Sequence, residues 1–223
     1  MEQDEAFRRV WQTLRSLKRL ADGRHDTPGW RSHNAVYAIC VIRVPAAALQ
    51  PNLDALRKVL GDLPFVRIHP DHFLHITLQE LGFVCDKPGR RDEISPARIK
   101  EFVSAATGPL AEQSAFKVRL GGVNSYQDAA FLDVHDGGQC ARVHQRLREL
   151  AAVPTIPRFA YLPHMTIAHY IADVPVGNLP AILATWRDHT FGTFTASVIE
   201  VVTLPVNEAY PPMTTVASFP LRS

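Results

Sequence analysis

Apolar residues recur along the chain with two periods, and these periods predict helices and strands. Positions 5–21 place apolar residues at steps of three and four with basic residues between them, which is the spacing of an amphipathic helix that packs on the main body. The same spacing predicts further helices at 52–61, 96–113, 139–151 and 178–188. Continuous or alternating apolar runs predict strands at 35–44, 65–68, 73–81, 115–123, 129–134, 162–171, 196–204 and 214–221.

The order strand, helix, strand occurs twice, over residues 35–81 and again over 129–171. This repetition predicts a duplicated α+β architecture. The polar segment 85–93, which contains proline and glycine, is the predicted connection between the two halves. We therefore divide the chain into an N-terminal helix and linker extension, residues 1–34, and a single bilobal domain, residues 35–223.

Composition and charge limit the class of protein. The chain carries 24 Lys and Arg against 22 Asp and Glu, so no strong overall field draws it to nucleic acid or to an anionic membrane, and any anionic ligand needs a local site. The longest apolar run, residues 35–42, is far shorter than the ~20 residues of a membrane helix. With an acidic N-terminus, the sequence favours a soluble, cytoplasmic protein. Its three widely spaced cysteines argue against a disulfide framework and a thiolate zinc site.

A short phrase is repeated at equivalent places in the two units, as Leu74-His75-Ile76-Thr77-Leu78 and as Pro163-His164-Met165-Thr166-Ile167. Side chains alternate along a strand, so each phrase presents an imidazole and a hydroxyl on one face and turns the residue between them into the core. One such phrase would be weak evidence of function. Two copies in a repeated unit predict a site with two imidazoles and two hydroxyl donors.

Two histidines can divide an acid and a base between them near neutral pH, because the unperturbed pKa of histidine is about 6.5. Cleavage of a phosphodiester needs this combination: the nucleophile loses a proton while the leaving oxygen gains one. Threonine hydroxyls can donate to the non-bridging phosphate oxygens. We therefore predict His75, Thr77, His164 and Thr166 as catalytic residues, with no metal or cofactor required.

These phrases resemble the two H-x-[ST]-x motifs of the 2H phosphoesterase superfamily. Residues 74–84, LHITLQELGFV, and residues 163–168, PHMTIA, are most similar to the motifs of its bacterial 2′-5′ RNA ligase-like branch, the RNA 2′,3′-cyclic phosphodiesterases. The resemblance spans residues 35–221. It implies a bilobal duplicated α+β fold with two antiparallel-rich sheets around a central groove and helices outside. It also implies that His75 protonates the departing ribose oxygen while His164 activates water; the residues alone leave both assignments open.

Three positions depart from the branch's pattern. Gln79 and Glu80 stand where the branch usually has a basic residue and phenylalanine, and His169 stands where it often has arginine. By strand alternation Glu80 should lie on the face opposite His75. His169 remains a candidate substrate contact, although it lacks the permanent charge with which arginine binds phosphate.

Other residues are weaker candidates for the site. Tyr37 and Tyr126 could stack on a base, as aromatic side chains do with single-stranded nucleic acid. His69, His72 and His75 are three residues apart, but Pro70 and the extended chain are unfavourable for a shared metal, so we interpret His69 and His72 as turn residues at the rim of the groove.

The sequence thus favours an enzyme that opens cyclic phosphodiesters, most simply 2′,3′-cyclic phosphate ends of RNA or of nucleotides, and that could run in reverse as a 2′-5′ RNA ligase. Two alternatives stay open. One is a phosphodiesterase of another cyclic or 2′-5′ linked nucleotide, including a signalling molecule. The other is a module that binds an RNA end without turnover. The oligomeric state is not indicated.

Overall fold

The fold is seen in a computed structural model that describes residues 2–24, 27–33, 36–49, 51–151, 153 and 160–223. Its helices are α1 Glu2–Ser16, α2 Pro28–Arg31, α3 Asn52–Gly61, α4 Pro96–Ala111, α5 Gln139–Ala151 and α6 Leu179–Ala184. Its strands are β1 Val36–Arg43, β2 Val66–Ile68, β3 His75–Val84, β4 Glu93–Ile94, β5 Phe116–Ser125, β6 Ala129–His135, β7 His164–Tyr170, β8 Thr190–Ala196, β9 Val198–Pro205 and β10 Thr214–Pro220.

The strands form one sheet made of two antiparallel halves. The order across it is β10-β9-β1-β3-β7-β6-β5-β8, with the short β4 beside β3 and β2 beside β7. In the described part of the chain, β3 and β7 pair at one register position, Ile76 with Met165, and this pair forms the seam between the two half-sheets. The predicted α+β class with two antiparallel halves is confirmed; helices α3, α4 and α5 lie outside, and the two predicted sheets are halves of one sheet joined along this seam.

Different side chains pack on the two faces of the sheet. The outer face carries the main core, to which α3, α4 and α5 contribute Leu53, Phe102 and Val143. We define the inner face by Val41, Thr77, Thr166 and Phe131, of which Val41 pairs with Thr77 and Phe131 with Thr166. In the first half-sheet a smaller apolar cluster covers this inner face, formed by Ile39, Val41, Phe73, Val202, Leu204 and Met213. The catalytic candidates lie between these covered regions.

The N-terminal helix packs on the sheet, as its amphipathic pattern predicts. Phe7 and Leu14 are fully buried. The side chain of Asn124, which pairs in register with the inner-face residue Phe131, donates to the Phe7 carbonyl at 3.0 Å. Helix α1 therefore covers the inner face of β5 and β6. The division at residue 34 stays a prediction about which residues form the domain.

Several predicted elements match closely, and others differ from the prediction. Helices at 52–61 and 139–151 have the predicted bounds, and the Ser95 hydroxyl accepts from the Arg98 amide at the start of α4. The first helix begins and ends earlier than predicted, and α6 ends at Ala184. Strand β8 is absent from the prediction, because its residues are mostly polar and alternate with few apolar ones. Strand β2 pairs with β7.

The first of two β-bulges in β3 corrects the prediction for Glu80. The register between β1 and β3 shifts twice, so that Glu80 pairs with Ile39 and Phe83 with Tyr37. Ile39 belongs to the inner-face cluster, and cross-strand partners share a face. Glu80 therefore lies on the same face as His75 and Thr77, because the bulge between Thr77 and Gln79 adds one residue and reverses the alternation.

The second bulge ends at Gly82. Its φ of +119° is costly for other residues, and a Cβ there would lie 2.5 Å from the Asp92 carbonyl oxygen.

Among the helices of the described residues, none is long and apolar enough to span a bilayer.

Candidate active site

The two repeated phrases lie side by side at the seam between the half-sheets. Ile76 and Met165 are paired and fully buried, and the flanking His75, Thr77, His164 and Thr166 are all partly exposed. Continuing the antiparallel register by one residue places His75 opposite Thr166 and Thr77 opposite His164. Residues directly opposite in such a pair have Cβ atoms about 5 Å apart. The structure thus brings the four predicted catalytic residues together on the inner face.

Both histidines are oriented by the same backbone contact. Nδ1 of His75 lies 2.6 Å from the Phe73 carbonyl oxygen, and Nδ1 of His164 lies 2.8 Å from the Leu162 carbonyl oxygen. A carbonyl can only accept, so Nδ1 carries the proton and donates it in each case. Each neutral ring therefore has Nε2 as its acceptor, the atom through which it can take up or release a proton.

Aromatic and polar groups surround His164. The rings of Tyr126 and Phe131 have centroids 5.2 and 5.1 Å from its own. Burial lowers the pKa of His164 below its usual value. His164 is therefore neutral at pH 7, as a general base must be. Burial likewise raises the pKa of Tyr126, so the predicted contact Tyr126 is a neutral phenol bordering His164.

Sequence reasoning missed Asp133, the cross-strand partner of His164. Asp133 is 2 % exposed, accepts hydrogen bonds from Asn124 and Arg187, and has a pKa that burial raises to about 6. A single aspartate in an apolar strand gives no local sign of its partners, since they come from β5 and from the loop before β8.

The surroundings of His75 are different. The Phe73 ring meets the imidazole edge-on, with centroids 5.3 Å apart. Arg43 is its cross-strand partner on β1, and this arginine donates to Glu200 and to the Met213 carbonyl. Sequence reasoning missed Arg43 as well. Its one local signal is a basic residue at the end of an otherwise apolar strand.

A second contact joins the two motifs beyond the seam. The hydroxyl of Tyr161, three residues before His164, donates to the Thr77 carbonyl oxygen at 2.8 Å. The ring of His144 on α5 stacks on Tyr161 with centroids 3.9 Å apart, and its Nδ1 donates to the Leu78 carbonyl oxygen at 2.6 Å. These contacts fix the second motif relative to the backbone of the first.

The structure places the other predicted substrate contacts at different distances from the seam. Tyr37 lies farther along the inner face, with its ring 4.7 Å from those of Trp30 and Phe83. His169 is 5 % exposed, and its Nδ1 lies 3.2 Å from Nε2 of His69. The ring of His169 thus packs among other side chains in this structure. A substrate contact by His169 stays a prediction.

The interpretation of His69 as a rim residue is wrong. It is 1 % exposed and packs against His169, Phe73 and Tyr210. Within the described residues, no three His, Cys, Asp or Glu side chains are grouped so that they could hold a metal ion.

Comparison with solved structures shows which known proteins share this fold. Solved structures similar to the chain include E. coli LigT in complex with 3′-AMP, at 15% identity, a TM-score of 0.63 and coverage of 85% of this chain and 99% of that one. LigT in complex with NADP+ has the same identity and coverage and a TM-score of 0.62. The TT0787 protein of Thermus thermophilus has 17% identity, a TM-score of 0.59 and coverage of 84% and 98%. At these identities the likeness shows the fold.

No curated protein sequence matches the chain. A family model does: that of the 2′-5′ RNA ligase superfamily, over residues 44–206. The matched segment includes both histidine motifs and the seam where they meet. The chain therefore belongs to the 2′-5′ RNA ligase superfamily of 2H phosphoesterases.

Proposed function

We propose that the protein opens cyclic phosphodiesters, with 2′,3′-cyclic phosphate ends of RNA or of nucleotides as its substrates. The observation that carries this proposal is the pairing at the seam. His75 and His164 lie on one face, each with Nδ1 bound to a carbonyl oxygen, and each is next to a threonine of the other motif. The superfamily supports phosphoester chemistry, and the complexes of LigT with 3′-AMP and NADP+ support a nucleotide as the ligand.

The proposed reaction uses one histidine on each side of phosphorus. Nε2 of His164 takes a proton from water, whose oxygen forms a bond to phosphorus while the bond from phosphorus to one ribose oxygen breaks. Protonated His75 gives its Nε2 proton to that leaving oxygen. Thr77 and Thr166 donate to the non-bridging oxygens as negative charge builds on them. The product is a ribose phosphomonoester.

The lowered pKa of His164 supports its assignment as the base. The reverse reaction would join a cyclic phosphate end to a hydroxyl, as the name of the superfamily suggests. In the reverse direction the two histidines exchange their roles, because each step must be reversible along the same path.

Turnover of 2′,3′-cyclic mononucleotides by the purified protein tests the proposal, with the position of the product phosphate determined. The panel should include 3′,5′-cyclic and 2′-5′ linked nucleotides. Cleavage of only these would support the alternative phosphodiesterase, and binding without any turnover would support the RNA-end module. We expect activity to persist in EDTA, because side chains supply the acid, the base and the phosphate donors. Loss in EDTA with recovery on adding metal would contradict the two-histidine mechanism.

A further inference from the structure

A carboxylate and aromatic rings follow the catalytic residues along the inner face. The bulges in β3 place Thr77, Glu80 and Phe83 in sequence on this face, opposite Val41, Ile39 and Tyr37. The step from Thr77 to Glu80 on β3 matches the two-residue step from Val41 to Ile39 on β1, so Glu80 lies about 7 Å along the sheet from Thr77. With the length of the glutamate side chain added, this span suits the distance from the phosphate of a nucleotide to the polar edge of its base.

Aromatic rings lie beside Glu80 on the inner face. Tyr37, Phe83 and Trp30 form an aromatic cluster with ring centroids 4.7–5.0 Å apart. Glu80 is exposed to solvent, yet its pKa is raised by partial loss of water contact. The nearby Tyr37 hydroxyl partly offsets this rise in pKa by favouring the charged carboxylate, and a carboxylate can accept about four hydrogen bonds.

The chemistry of a carboxylate selects among bases. An ionised carboxylate only accepts hydrogen bonds and can take two side by side. Guanine presents two adjacent N–H donors on its Watson–Crick edge, and cytosine and adenine present an exocyclic amine. Uracil has one N–H between two carbonyl oxygens, both of which would be repelled. Reading of this edge is the usual way in which proteins recognise unpaired bases.

We propose that Glu80 and the adjoining Tyr37 form a nucleobase subsite that favours bases bearing an amino group, guanine above all, over uracil. The inference rests on the proposed function, since it assumes that the phosphate of the same nucleotide sits at the seam. The Glu80 carboxylate accepts hydrogen bonds from the Watson–Crick edge of the base, and the ring of Tyr37 supplies apolar contact beside it. Neither residue takes part in proton transfer.

The test compares kcat/KM for the 2′,3′-cyclic phosphates of guanosine, cytidine, adenosine and uridine. We expect the wild-type protein to favour the guanosine over the uridine compound by about tenfold or more, in the range measured for one bidentate base contact. Glu80→Gln should reduce this ratio to about threefold or less, because an amide offers one acceptor and a donor that suits uracil. The change should appear in KM, with kcat for the uridine compound nearly unchanged.

Glu101→Gln is the matched control, since Glu101 is an exposed carboxylate on α4 whose partner is Arg98. It should leave the ratio as in the wild type. Should Glu80→Gln fail to fold, Glu80→Ala tests the same loss of acceptor. An equal loss for all four bases, or an unchanged ratio, would overturn the proposal.

Failure of the proposed function can be told apart from failure of this inference. If none of the four compounds is cleaved, the binding of 3′-GMP and 3′-UMP is measured by calorimetry. Tighter binding of 3′-GMP that Glu80→Gln abolishes would then support the subsite without the reaction. Equal binding of the two would overturn the subsite.

Discussion

The two histidine motifs use the same backbone geometry in different surroundings. Both rings donate Nδ1–H to the carbonyl two residues earlier. His164 then lies between the rings of Tyr126 and Phe131, with the buried Asp133 opposite it. The ring of Phe73 meets His75 edge-on, and Arg43, which is ion-paired with Glu200, faces His75 from the neighbouring strand.

The repeated motif sets the orientation of each imidazole through the same backbone contact. The neighbouring residues in each half-sheet set the electrostatic surroundings of that imidazole. Burial holds His164 neutral, which suits a base. Since the sequence of the two motifs is nearly the same, the distinction between acid and base is expected to come from these neighbours and not from the motifs themselves.

The largest expected effect comes from removing either imidazole. His75→Ala and His164→Ala should each lower kcat by about 10²- to 10⁴-fold, the usual contribution of a positioned acid or base. Because both act in one step, the double variant should lose much less than the product of the two single losses. Circular dichroism and thermal melting serve as controls for folding. Near wild-type turnover by either single variant in a folded state would make the paired motifs structural.

Loss of a hydroxyl should cost less than loss of an imidazole. Thr77→Ala and Thr166→Ala should each lower kcat by roughly ten- to a thousandfold, as measured for one donor to developing charge. Thr→Ser at either position keeps the hydroxyl and should restore most of the rate. A serine variant as slow as the alanine variant would show that the methyl group matters and that the hydroxyl does not.

The contact between the motifs can be broken without touching a catalytic residue. Tyr161→Phe removes the hydroxyl that donates to the Thr77 carbonyl and keeps the ring on which His144 stacks. We expect kcat to fall by about tenfold with little change in KM, because small misplacements of reacting groups are costly. A rise in KM at constant kcat would contradict a positioning role.

The smallest effect concerns the pH profile. The base must be neutral, so kcat/KM should fall as the pH drops through the pKa of His164, which burial lowers from its usual 6.5. The acidic limb should therefore lie below about pH 6.5. Tyr126→Ala should expose the ring and move this limb upward, reducing the rate a few-fold near about pH 6. If the midpoint of the acidic limb does not change in Tyr126→Ala, a group other than His164 determines this limb, and His75 is the first alternative.

Much of the fold was predictable because its signals are local. Helices α3 and α5 occupy the predicted residues, since each has an apolar stripe that its own spacing reveals. Strand β8 was missed because Thr190–Ala196 contains few buried side chains and a glycine. That Gly192 approaches the Ala48 carbonyl so closely that a Cβ would overlap its oxygen. Only packing against a distant segment explains a glycine there.

The sequence by itself determined which chemistry is available and on which strands it lies. Alternation places a histidine and a threonine together in each motif, and this depends only on neighbouring residues. The tertiary structure decided what faces them. The bulge that turns Glu80 to the inner face, the Ile76–Met165 pair, and the partners Arg43 and Asp133 all depend on register between strands far apart in the chain. Register is set by the packing of whole faces, and no local pattern contains it.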